Sequence, residues 1–481
     1  MSGFGSFAPK RRPSGWSWLK AKDHLPILEQ ERRQNITKRL YRRRAVRFVL
    51  EHWRLLLGLV LVFSIEPWLH VRSFKFDAPK TNLDPPFYTT CQTPVRNNTE
   101  RVNATMVMMA RNSDVDGAVA SVLNVQQQFN QNFGYPWVFL NNEPWSDDFI
   151  TKVTKAVTQD GSGATAKFEI IPANMWGYPS WVDKKKSQHK MEVLESKGIM
   201  YAGKENYHHM CRFSSGFFYD IPALQNYKWY WRVEPDISFT CSITYDPFYE
   251  MQKNDKRYGW VVALWEIETT VPTLFRRIAE YKKTRKLPDT NMWKAMIQPS
   301  RVPWPFRSLF MSGKPGRDSN GDMWNFCHFW SNFEIADMDW FRSPEYRDLF
   351  NYLDEDGGFY YERWGDAPVH SLAASLLLRA DQVHHFSDWG YIHGDFQWCP
   401  YGPTIDNMKM FQLARGPDGK NLADVQPNLG CNCKCDPDIS EIAASDGSYY
   451  YSNPNGSTYY NNGQGSATYT PPSSGSNGSK K

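Results

Sequence analysis

Two carboxylates lie one residue apart in the stretch WRVEPDISF, where Glu234 and Asp236 flank a proline. Aromatic and β-branched residues surround them, and acids are seldom buried in such surroundings unless they are paired or bind a metal. Two carboxylates at this spacing can hold a hard divalent cation through oxygen, and an added imidazole favours Mn²⁺ or Mg²⁺. The alternative is a turn in which Asp236 caps the chain and Glu234 pairs with Arg232.

The elements around this stretch predict how the two acids are positioned. ATMVMMA (104–110) is a short apolar run typical of a buried strand, a helical pattern follows it, and PWVFLNN and KFEIIP predict further strands. The order strand, helix, strand indicates a parallel α/β unit. A strand predicted over 227–233 ends at Glu234, and ligands of open α/β sheets bind beyond the carboxyl ends of the strands.

The positive charge of the chain is concentrated at its N-terminus. The net charge is +5 over 481 residues, yet residues 1–47 contain thirteen Lys or Arg and only three acids. The remainder is therefore slightly acidic, which argues against a basic face for nucleic acid on the body of the protein. A hydrophobic content of 41% in a chain of this length allows one large domain or two, with a sizeable core.

An uncharged apolar run, LLLGLVLVFSI (55–65), follows the basic segment. Extended to residues 48–69, it predicts a signal-anchor helix that crosses a membrane once, with its basic side in the cytosol. The alternative is an amphipathic helix that lies on a membrane or packs on the domain.

The composition divides the chain into five predicted regions. Residues 1–47 form a disordered cytosolic tail, 48–69 the anchor and 70–100 a proline-containing stem. Residues 101–437 form the lumenal globular domain. Residues 438–481 are rich in Ser, Gly, Asn and Tyr, a composition that cannot bury a core and predicts a disordered tail.

All eight cysteines follow the predicted anchor. On the lumenal side of a membrane an even count indicates disulfides, although the sequence leaves their pairing open. The run CNCKC (431–435) is weak evidence for a zinc cluster, because no second cluster of matching spacing accompanies it.

Four stretches of the globular part resemble one known family. They are YHHMCRFSSGFFY, WRVEPDISF, the long segment from HFWSNFEIAD to VHSLAASLLL, and GYIHGDFQWCP. Together they resemble the fungal Golgi α-1,2-mannosyltransferases, which build O-linked and N-linked mannose chains on cell-wall glycoproteins. The resemblance covers roughly residues 85–437. It implies a GT-A-type α/β fold, with a Rossmann-like mixed sheet and helices on both faces. It also implies a type II membrane topology, GDP-mannose as donor, Mn²⁺ as cofactor, and retention of the α configuration.

The resemblance assigns the metal and the chemistry to particular residues. Glu234 would contact the metal with Asp236 beside it, and His393, in YIHGD, would be the second protein ligand. Glu334, in SNFEIAD, would lie beside the anomeric carbon, either as the nucleophile or as the anion that stabilises an oxocarbenium-like transition state. Without the resemblance, the alternative for His393 is a core or surface residue without a ligand, and the alternative for Glu334 is an acid at the start of a helix.

The resemblance also implies contacts to the two substrates. Tyr207, at the head of YHHMCRF, would touch the acceptor sugar, and Arg232 would position the donor or its diphosphate. Arg111 follows the first predicted strand, where a nucleotide-binding residue is expected, although a surface ion pair would explain it equally. We expect the remaining histidines near these motifs to be structural: His208, His209, His384 and His385.

These expectations combine into one predicted function. The enzyme would sit in the Golgi membrane and transfer mannose from GDP-mannose to the 2-hydroxyl of α-mannosides on the N- and O-linked glycans of glycoproteins. The alternatives are a transferase with another donor or linkage, and a mannose-binding module of the same fold without activity. A carboxylate at the anomeric carbon argues against the module, because binding alone does not require it.

Overall fold

The computed structural model describes the chain from Ser17 onwards, with gaps. The described ranges are 17–75, 85–89, 91–94, 101–304, 306–394, 396–400, 429–436, 448–452, 458–462 and 467–470. Much of the predicted stem therefore lies outside the described residues. The chain divides into two compact units, Met1–Leu69 and His70–Lys481.

The first unit consists, in its described part, of one long helix, α1 (Ser17–Ser73), whose last four residues belong to the second unit. Residues 17–47, part of the predicted cytosolic tail, lie in this helix, and the disorder of the tail stays a prediction. Residues 27–57 contain neither Gly nor Pro and are rich in Leu and Arg, which are good helix formers. Within the described residues, Gln34–Ser73 is the one helix stretch that is long and apolar enough to cross a membrane.

The second unit is built on a seven-stranded mixed sheet with the strand order β12-β6-β11-β4-β1-β2-β3. Strands β4, β1, β2 and β3 run parallel to one another, β12 is parallel to β6, and β11 is antiparallel to both β4 and β6. The strands of this sheet are β1 (Ala104–Met109), β2 (Trp137–Asn141), β3 (Ala166–Ile170), β4 (Trp229–Arg232), β6 (Tyr258–Trp260), β11 (Glu334–Asp337) and β12 (Val383–His385).

Smaller sheets surround the large one. A three-stranded sheet, β14-β13-β5, and the two-stranded sheets β10-β7 and β8-β9 belong to the globular part. Their strands are β5 (Ile237–Phe239), β7 (Ala263–Trp265), β8 (Ile297–Gln298), β9 (Met323–Trp324), β10 (Cys327–Phe329), β13 (Tyr391–His393) and β14 (Phe396–Trp398).

Helices cover the sheets and connect the strands. After α1 they are α2 (Val115–Val125), α3 (Gln131–Phe133), α4 (Asp147–Thr158), α5 (Lys184–Ser196), α6 (Glu205–Gly216), α7 (Pro247–Lys253), α8 (Leu274–Thr284), α9 (Asn291–Ala295), α10 (Phe306–Met311), α11 (Met338–Phe341), α12 (Pro344–Asp356), α13 (Gly358–Tyr361) and α14 (Asp366–Leu377). The residues 283–324, whose shape the sequence left open, therefore carry two short helices and two short strands.

Alternating residues of the central strands enter two different cores. Tyr230 belongs to one buried cluster, whereas its neighbours Trp229 and Trp231 belong to the other. Because successive side chains of a strand point to opposite faces, the sheet is covered on both sides. This arrangement confirms the predicted mixed α/β sheet with helices on both faces.

Three disulfides hold the CNCKC run against the globular domain. The pairs are Cys91–Cys431, Cys241–Cys433 and Cys399–Cys435, and Cys211 and Cys327 remain unpaired. The disulfide prediction is thus confirmed. A zinc cluster at CNCKC is excluded, because each of its three sulfurs is bonded to a distant cysteine.

Within residues 438–481, the predicted C-terminal tail, the described residues form an antiparallel sheet of β15 (Ser448–Ser452), β16 (Thr458–Asn462) and β17 (Ala467–Thr470). The tail contains many Tyr and Thr residues, and both residue types have high β-propensity. The disorder of the tail as a whole stays a prediction.

Candidate active site

The candidate site is formed where β4 and β11 lie side by side. These strands are antiparallel, and their register places Glu334 directly opposite Arg232. Arg232 is also the register partner of Val107, near the carboxyl end of β1. Residues that are about one hundred positions apart in the chain therefore meet at one end of the sheet, where the sequence predicted a ligand site.

Arg232 is the centre of a cluster of carboxylates. Its guanidinium donates from Nη2 to Glu234 Oε1 at 2.6 Å and from Nη1 to Asp366 Oδ2 at 2.5 Å, and Nη1 lies 4.0 Å from Glu334 Oε1. The side chain is only 13% exposed. Burial alone lowers the pKa of an arginine, but the three acids raise the pKa of Arg232 well above its ordinary value. The pair between Glu234 and Arg232 exists, but it belongs to a partly buried network rather than to an exposed turn.

Glu334 is buried and fully surrounded by polar partners. Its Oε1 accepts from the hydroxyl of Tyr230 at 2.5 Å, and its Oε2 accepts from Tyr258 at 2.8 Å and lies 3.0 Å from His370 Nδ1. Burial raises the pKa of a carboxyl, yet His370 and Arg232 outweigh this effect and lower the pKa of Glu334 below its ordinary value. Glu334 is therefore an ionised carboxylate that is 1% exposed.

Glu334 does not begin a helix. It is the first residue of β11, and α11 begins only at Met338, after Asp337 has capped it through the backbone N–H of Asp339. The alternative interpretation of Glu334 as an acid at a helix start is thus wrong. The acid with that role is Asp337.

Asp366 completes the cluster and was missed by the sequence analysis. It starts α14 and accepts from Arg232 and from the Ser331 hydroxyl at 2.7 Å. Burial raises its pKa, but Arg232 and His370 together lower the pKa of Asp366 below its ordinary value. A signal was present in the sequence: Asp366 and His370 are the two ionisable residues of a mostly apolar helix and stand four positions apart, so they share a face.

His393 is the last residue of β13, in the small sheet β14-β13-β5, and β5 is the strand that follows β4 in the chain. It is paired in register with Ile237, three residues after Glu234, and its ring centroid is 5.1 Å from that of Trp330. The Asn332 side-chain amide lies 2.5 Å from His393 Nδ1. This contact leaves Nε2 as the ring nitrogen able to bind a ligand.

Asp236 has an unusual backbone and faces a helix. Its φ is +60°, a left-handed conformation that Asp tolerates better than most residues. Its carboxylate lies so close to α2 that a Cβ on Gly117 would come within 2.4 Å of Oδ1. A glycine at position 117 is therefore required for Asp236 to pack there.

The three predicted metal ligands are not gathered into one cluster. Within the described ranges, no three His, Cys, Asp or Glu side chains lie close enough together to hold a metal ion. Because its carboxylate packs over Gly117, Asp236 does not complete a set with Glu234 and His393. Metal sites that share the ion with substrate phosphates need only one or two protein ligands. Glu234 lies between β4 and β5, and His393 lies on β13, which pairs with β5. Their carboxylate and imidazole are a pair of groups that fits Mn²⁺ bound in this way.

Tyr207 belongs to a second polar cluster, beside Asp366. Its hydroxyl accepts from Arg363 Nη1 at 3.0 Å, and Arg363 Nη2 lies 3.4 Å from Glu266 Oε1. Burial, first of all, raises the pKa of Tyr207 well above its ordinary value, so the hydroxyl stays protonated. Arg363 Nε and His328 Nδ1 are buried in this cluster without a hydrogen-bond partner. Buried polar atoms of this kind are available to a polar ligand.

Arg111 is the most exposed of the predicted residues. Its guanidinium donates to both oxygens of Asp114, at 3.0 and 2.9 Å, and its side chain is 77% exposed. This pair raises the pKa of Arg111, mainly through the hydrogen bond to Asp114. The structure thus contains the predicted surface ion pair, at the predicted end of the sheet.

The four histidines expected to be structural make contacts within the fold. His208 hydrogen-bonds with the carbonyls of Phe359 and Ala202, and His209 lies 3.0 Å from the Tyr360 hydroxyl. The other two lie on β12: the ring of His384 stacks on Phe87, and that of His385 on Trp260.

The chain is similar to known proteins over most of its length. The family model described as glycolipid 2-alpha-mannosyltransferase matches residues 73–423. An O-glycoside alpha-1,2-mannosyltransferase homolog 4 of Schizosaccharomyces pombe is 39% identical over 429 residues, which cover 84% of this chain and 89% of the relative. A glycolipid 2-alpha-mannosyltransferase of Saccharomyces cerevisiae is 41% identical over 364 residues, which cover 73% of this chain and 76% of the relative.

Two solved structures share the fold. The mannosyltransferase Ktr4p from S. cerevisiae in complex with GDP aligns with a TM-score of 0.58 and 33% identity, covering 71% of this chain and 82% of that one. The Mn/GDP form of core-mannan synthase A from Aspergillus fumigatus aligns with a TM-score of 0.56 and 34% identity, covering 68% and 83%. These similarities confirm the GT-A-type fold that the sequence motifs imply.

Proposed function

The chain belongs to the glycolipid 2-alpha-mannosyltransferase family, and we infer from this membership that it is an α-1,2-mannosyltransferase. It transfers mannose from GDP-mannose to the 2-hydroxyl of an α-mannoside. The observation that carries this conclusion for the site itself is the ionised, buried Glu334 beside the Arg232 cluster. A fixed negative charge in a buried site is what a glycosyl transition state, which is positive at its ring, requires.

Glu234 and His393 are the residues that would hold the Mn²⁺ ion, together with phosphate oxygens of the donor. When bound, the ion would offset the charge of the departing diphosphate. The structural argument for His393 comes from Asn332, whose Oδ1 is buried without a partner. A half-turn of this amide lets Oδ1 accept a hydrogen bond from Nδ1–H, which leaves the lone pair of Nε2 for a metal and gives the buried oxygen a partner.

The roles of the other residues follow from their contacts. Glu334 faces the anomeric carbon and retains its charge because His370 and Arg232 stabilise it. Arg232 keeps the acids of the cluster apart and presents the remaining positive charge to the donor. Its second partner, Asp366, prevents the guanidinium from collapsing onto Glu334. We assign the nucleotide to the carboxyl end of β1, because Arg111 follows that strand.

We place the acceptor sugar at the Tyr207 cluster. The Tyr207 hydroxyl, Arg363 and Glu266 offer donors and acceptors spaced closely enough to bind vicinal hydroxyls of a sugar. Asp366 also contributes to raising the pKa of Tyr207, which reflects the proximity of this cluster to the Arg232 cluster. The acceptor is a mannosylated glycoprotein, and the enzyme is held in the Golgi membrane by the apolar helix, with its catalytic unit in the lumen.

The function is tested with the full chain, GDP-mannose, Mn²⁺ and methyl-α-mannoside. We expect release of GDP and formation of a disaccharide whose linkage, determined by NMR, is α-1,2. GDP release without a disaccharide would mean that the enzyme only hydrolyses the donor. A disaccharide with another linkage would show that the enzyme uses a hydroxyl other than the 2-hydroxyl of the acceptor. Sugar binding without any turnover would favour a non-catalytic mannose-binding module.

We predict that His393→Ala weakens Mn²⁺ binding by at least about 10- to 100-fold. Loss of a residue that only supports a metal ligand typically costs this much, and loss of the ligand itself should cost more. The reason is the loss of the imidazole on β13, whose backbone pairs with Ile237, three residues after Glu234. The measurement is a Mn²⁺ titration of GDP binding by calorimetry. His189→Ala, at a 74% exposed side chain, is the matched control. An unchanged titration would remove His393 from the site.

We predict that Asn332→Leu lowers Mn²⁺ affinity about 10-fold, less than His393→Ala does. Leucine is close in size to asparagine but cannot accept a hydrogen bond from Nδ1–H of His393. The imidazole therefore loses the contact that fixes its orientation and tautomer. The same titration measures the effect, with Asn291→Leu at an exposed helix position as control. An effect equal to that of His393→Ala would show that Asn332 itself contributes a ligand atom.

A further inference from the structure

Four large apolar side chains are exposed around helix α10. Trp304 is 64% exposed, Phe306 39%, Leu309 72% and Phe310 62%. We call these four residues the apolar patch. Scattered apolar residues on a surface are ordinary, but a contiguous group of this size marks a surface that contacts something else.

Helix α10 turns its apolar face outwards. The rings of Phe306 and Phe310 stand one helical turn apart, nearly parallel, with centroids 6.1 Å apart, and Leu309 lies between them in sequence. The charged residue of the helix, Arg307, is buried, at 8% exposure. This is the reverse of the usual amphipathic arrangement, in which the apolar stripe faces the core.

The surroundings of the apolar patch are basic. Residues 299–317 contain four Arg or Lys and no acid, and Arg301 and Lys314 are exposed. The nearest acids along the chain, Asp318 and Asp322, are both buried. Exposed aromatic and aliphatic side chains next to basic ones are the composition of segments that lie in the interfacial region of anionic membranes.

Within the second unit, the segment that carries the apolar patch is connected to His70, the first residue of that unit. Oδ1 of Asp322 accepts from the backbone N–H of Ser300 at 2.8 Å and lies 2.7 Å from Nε2 of His70. Trp304 follows Ser300 by four residues, so the chain keeps its backbone within about 14 Å of that contact. The Ser308 hydroxyl also donates to the carbonyl of Ser319, in the loop that ends at Asp322.

His70 directly follows the apolar stretch of α1 in the chain. If the chain crosses the bilayer up to about residue 69, His70 lies at the membrane surface. Residues that are close to His70 in the fold, among them those that follow Ser300, then lie near the lipid headgroups. We propose that the apolar patch rests in the interfacial region of the anchoring membrane, with its basic neighbours at the level of the lipid phosphate groups. This inference goes beyond the transferase activity, and it rests on the proposal that the N-terminal helix is a membrane anchor.

The test places an environment-sensitive fluorophore on Leu309→Cys in the full chain, reconstituted in vesicles of phosphatidylcholine and phosphatidylserine. The matched control is Ile170→Cys, at a residue of edge strand β3 that is 51% exposed. We expect the emission of the Leu309→Cys label to shift to shorter wavelength. We also expect a nitroxide-labelled lipid to quench it several-fold more strongly than the Ile170→Cys label. Both labelled chains should retain transferase activity on a soluble acceptor.

Each other outcome overturns the proposal in a recognisable way. Equal, weak quenching of the two labels in chains that float with the vesicles would mean that the apolar patch faces water. A shifted emission without lipid quenching would mean that protein, such as a second copy of the chain, covers it. Chains that fail to float would refute both the anchor and the membrane contact. The transferase assay on the same samples reports separately on the proposed activity.

Discussion

Replacing Glu334 by glutamine is expected to lower kcat by at least about 100- to 1,000-fold, the loss typical when one preorganised electrostatic group is removed from a buried site. The change is nearly isosteric: the amide oxygen can still accept from one side, whereas the amide NH2 donates, so the groups facing it must accept instead. What disappears is the negative charge next to the developing positive charge of the mannosyl ring. Because the proposed mechanism places Glu334 at the mannosyl ring and not at the diphosphate, we expect the affinity for GDP in the presence of Mn²⁺ to stay unchanged.

The kinetic comparison requires both turnover and binding. Initial rates with methyl-α-mannoside give kcat, and calorimetric titration with GDP and Mn²⁺ gives the affinity of the same preparation. Asp337→Asn is the matched control, because Asp337 is equally buried on the same strand but pairs with Lys228 and Arg257 instead. That variant should lose stability and keep its kcat. Near-normal turnover of Glu334→Gln would remove this carboxylate from the mechanism.

The strand framework was predictable because its signals are local. The apolar runs around residues 104–110 and 137–141 are bounded by turn residues, and both form parallel strands of the central sheet. The position of Glu234 after a strand followed from the same logic. The helix of the N-terminal unit is harder to predict from composition, because a basic, charged segment is typical of a disordered tail while Arg and Glu are also good helix formers.

The neighbours of Glu334 were not predictable from local patterns. Its partnership with Arg232 depends on the antiparallel register of β11, which only the folded sheet defines. His370 and Asp366 reach the cluster from a helix more than thirty residues further along the chain. The direction of Asp236 depends on a left-handed backbone and on the absence of a side chain at Gly117, a combination that residue type alone does not reveal.

The disulfide pairing illustrates the same limit. Eight cysteines allow many combinations, and the sequence offers no means to choose among them. The structure pairs Cys431 with Cys91 across 340 positions, so the pairing is a property of the assembled domain. In contrast, the presence of disulfides followed from the position of all cysteines after the apolar helix.

Replacing Arg232 by methionine is expected to lower the free energy of unfolding by about 3–5 kcal/mol at neutral pH, the cost of leaving buried charges without their partner. Methionine preserves much of the side-chain volume but leaves Asp366, Glu234 and Glu334 facing one another. Urea unfolding of the full chain in detergent, followed by tryptophan fluorescence, measures the loss. Arg285→Met is the control, because Arg285 pairs with Asp348 at an exposed site and should cost less than about 1 kcal/mol.

The pH dependence of this loss identifies its cause. In the native protein the pKa of Asp366 and that of Glu334 are lowered, so their contribution to stability is present above the ordinary carboxyl pKa and is lost as the pH falls through the folded pKa. Without Arg232, burial and mutual repulsion raise these pKa values above those of the unfolded chain, so the contribution is present at acidic pH and is lost as the pH rises. The deficit of Arg232→Met should therefore be larger at pH 8 than at pH 5. An equal deficit at both pH values would mean that Arg232 stabilises the fold by packing and that the acids of the cluster do not depend on its charge.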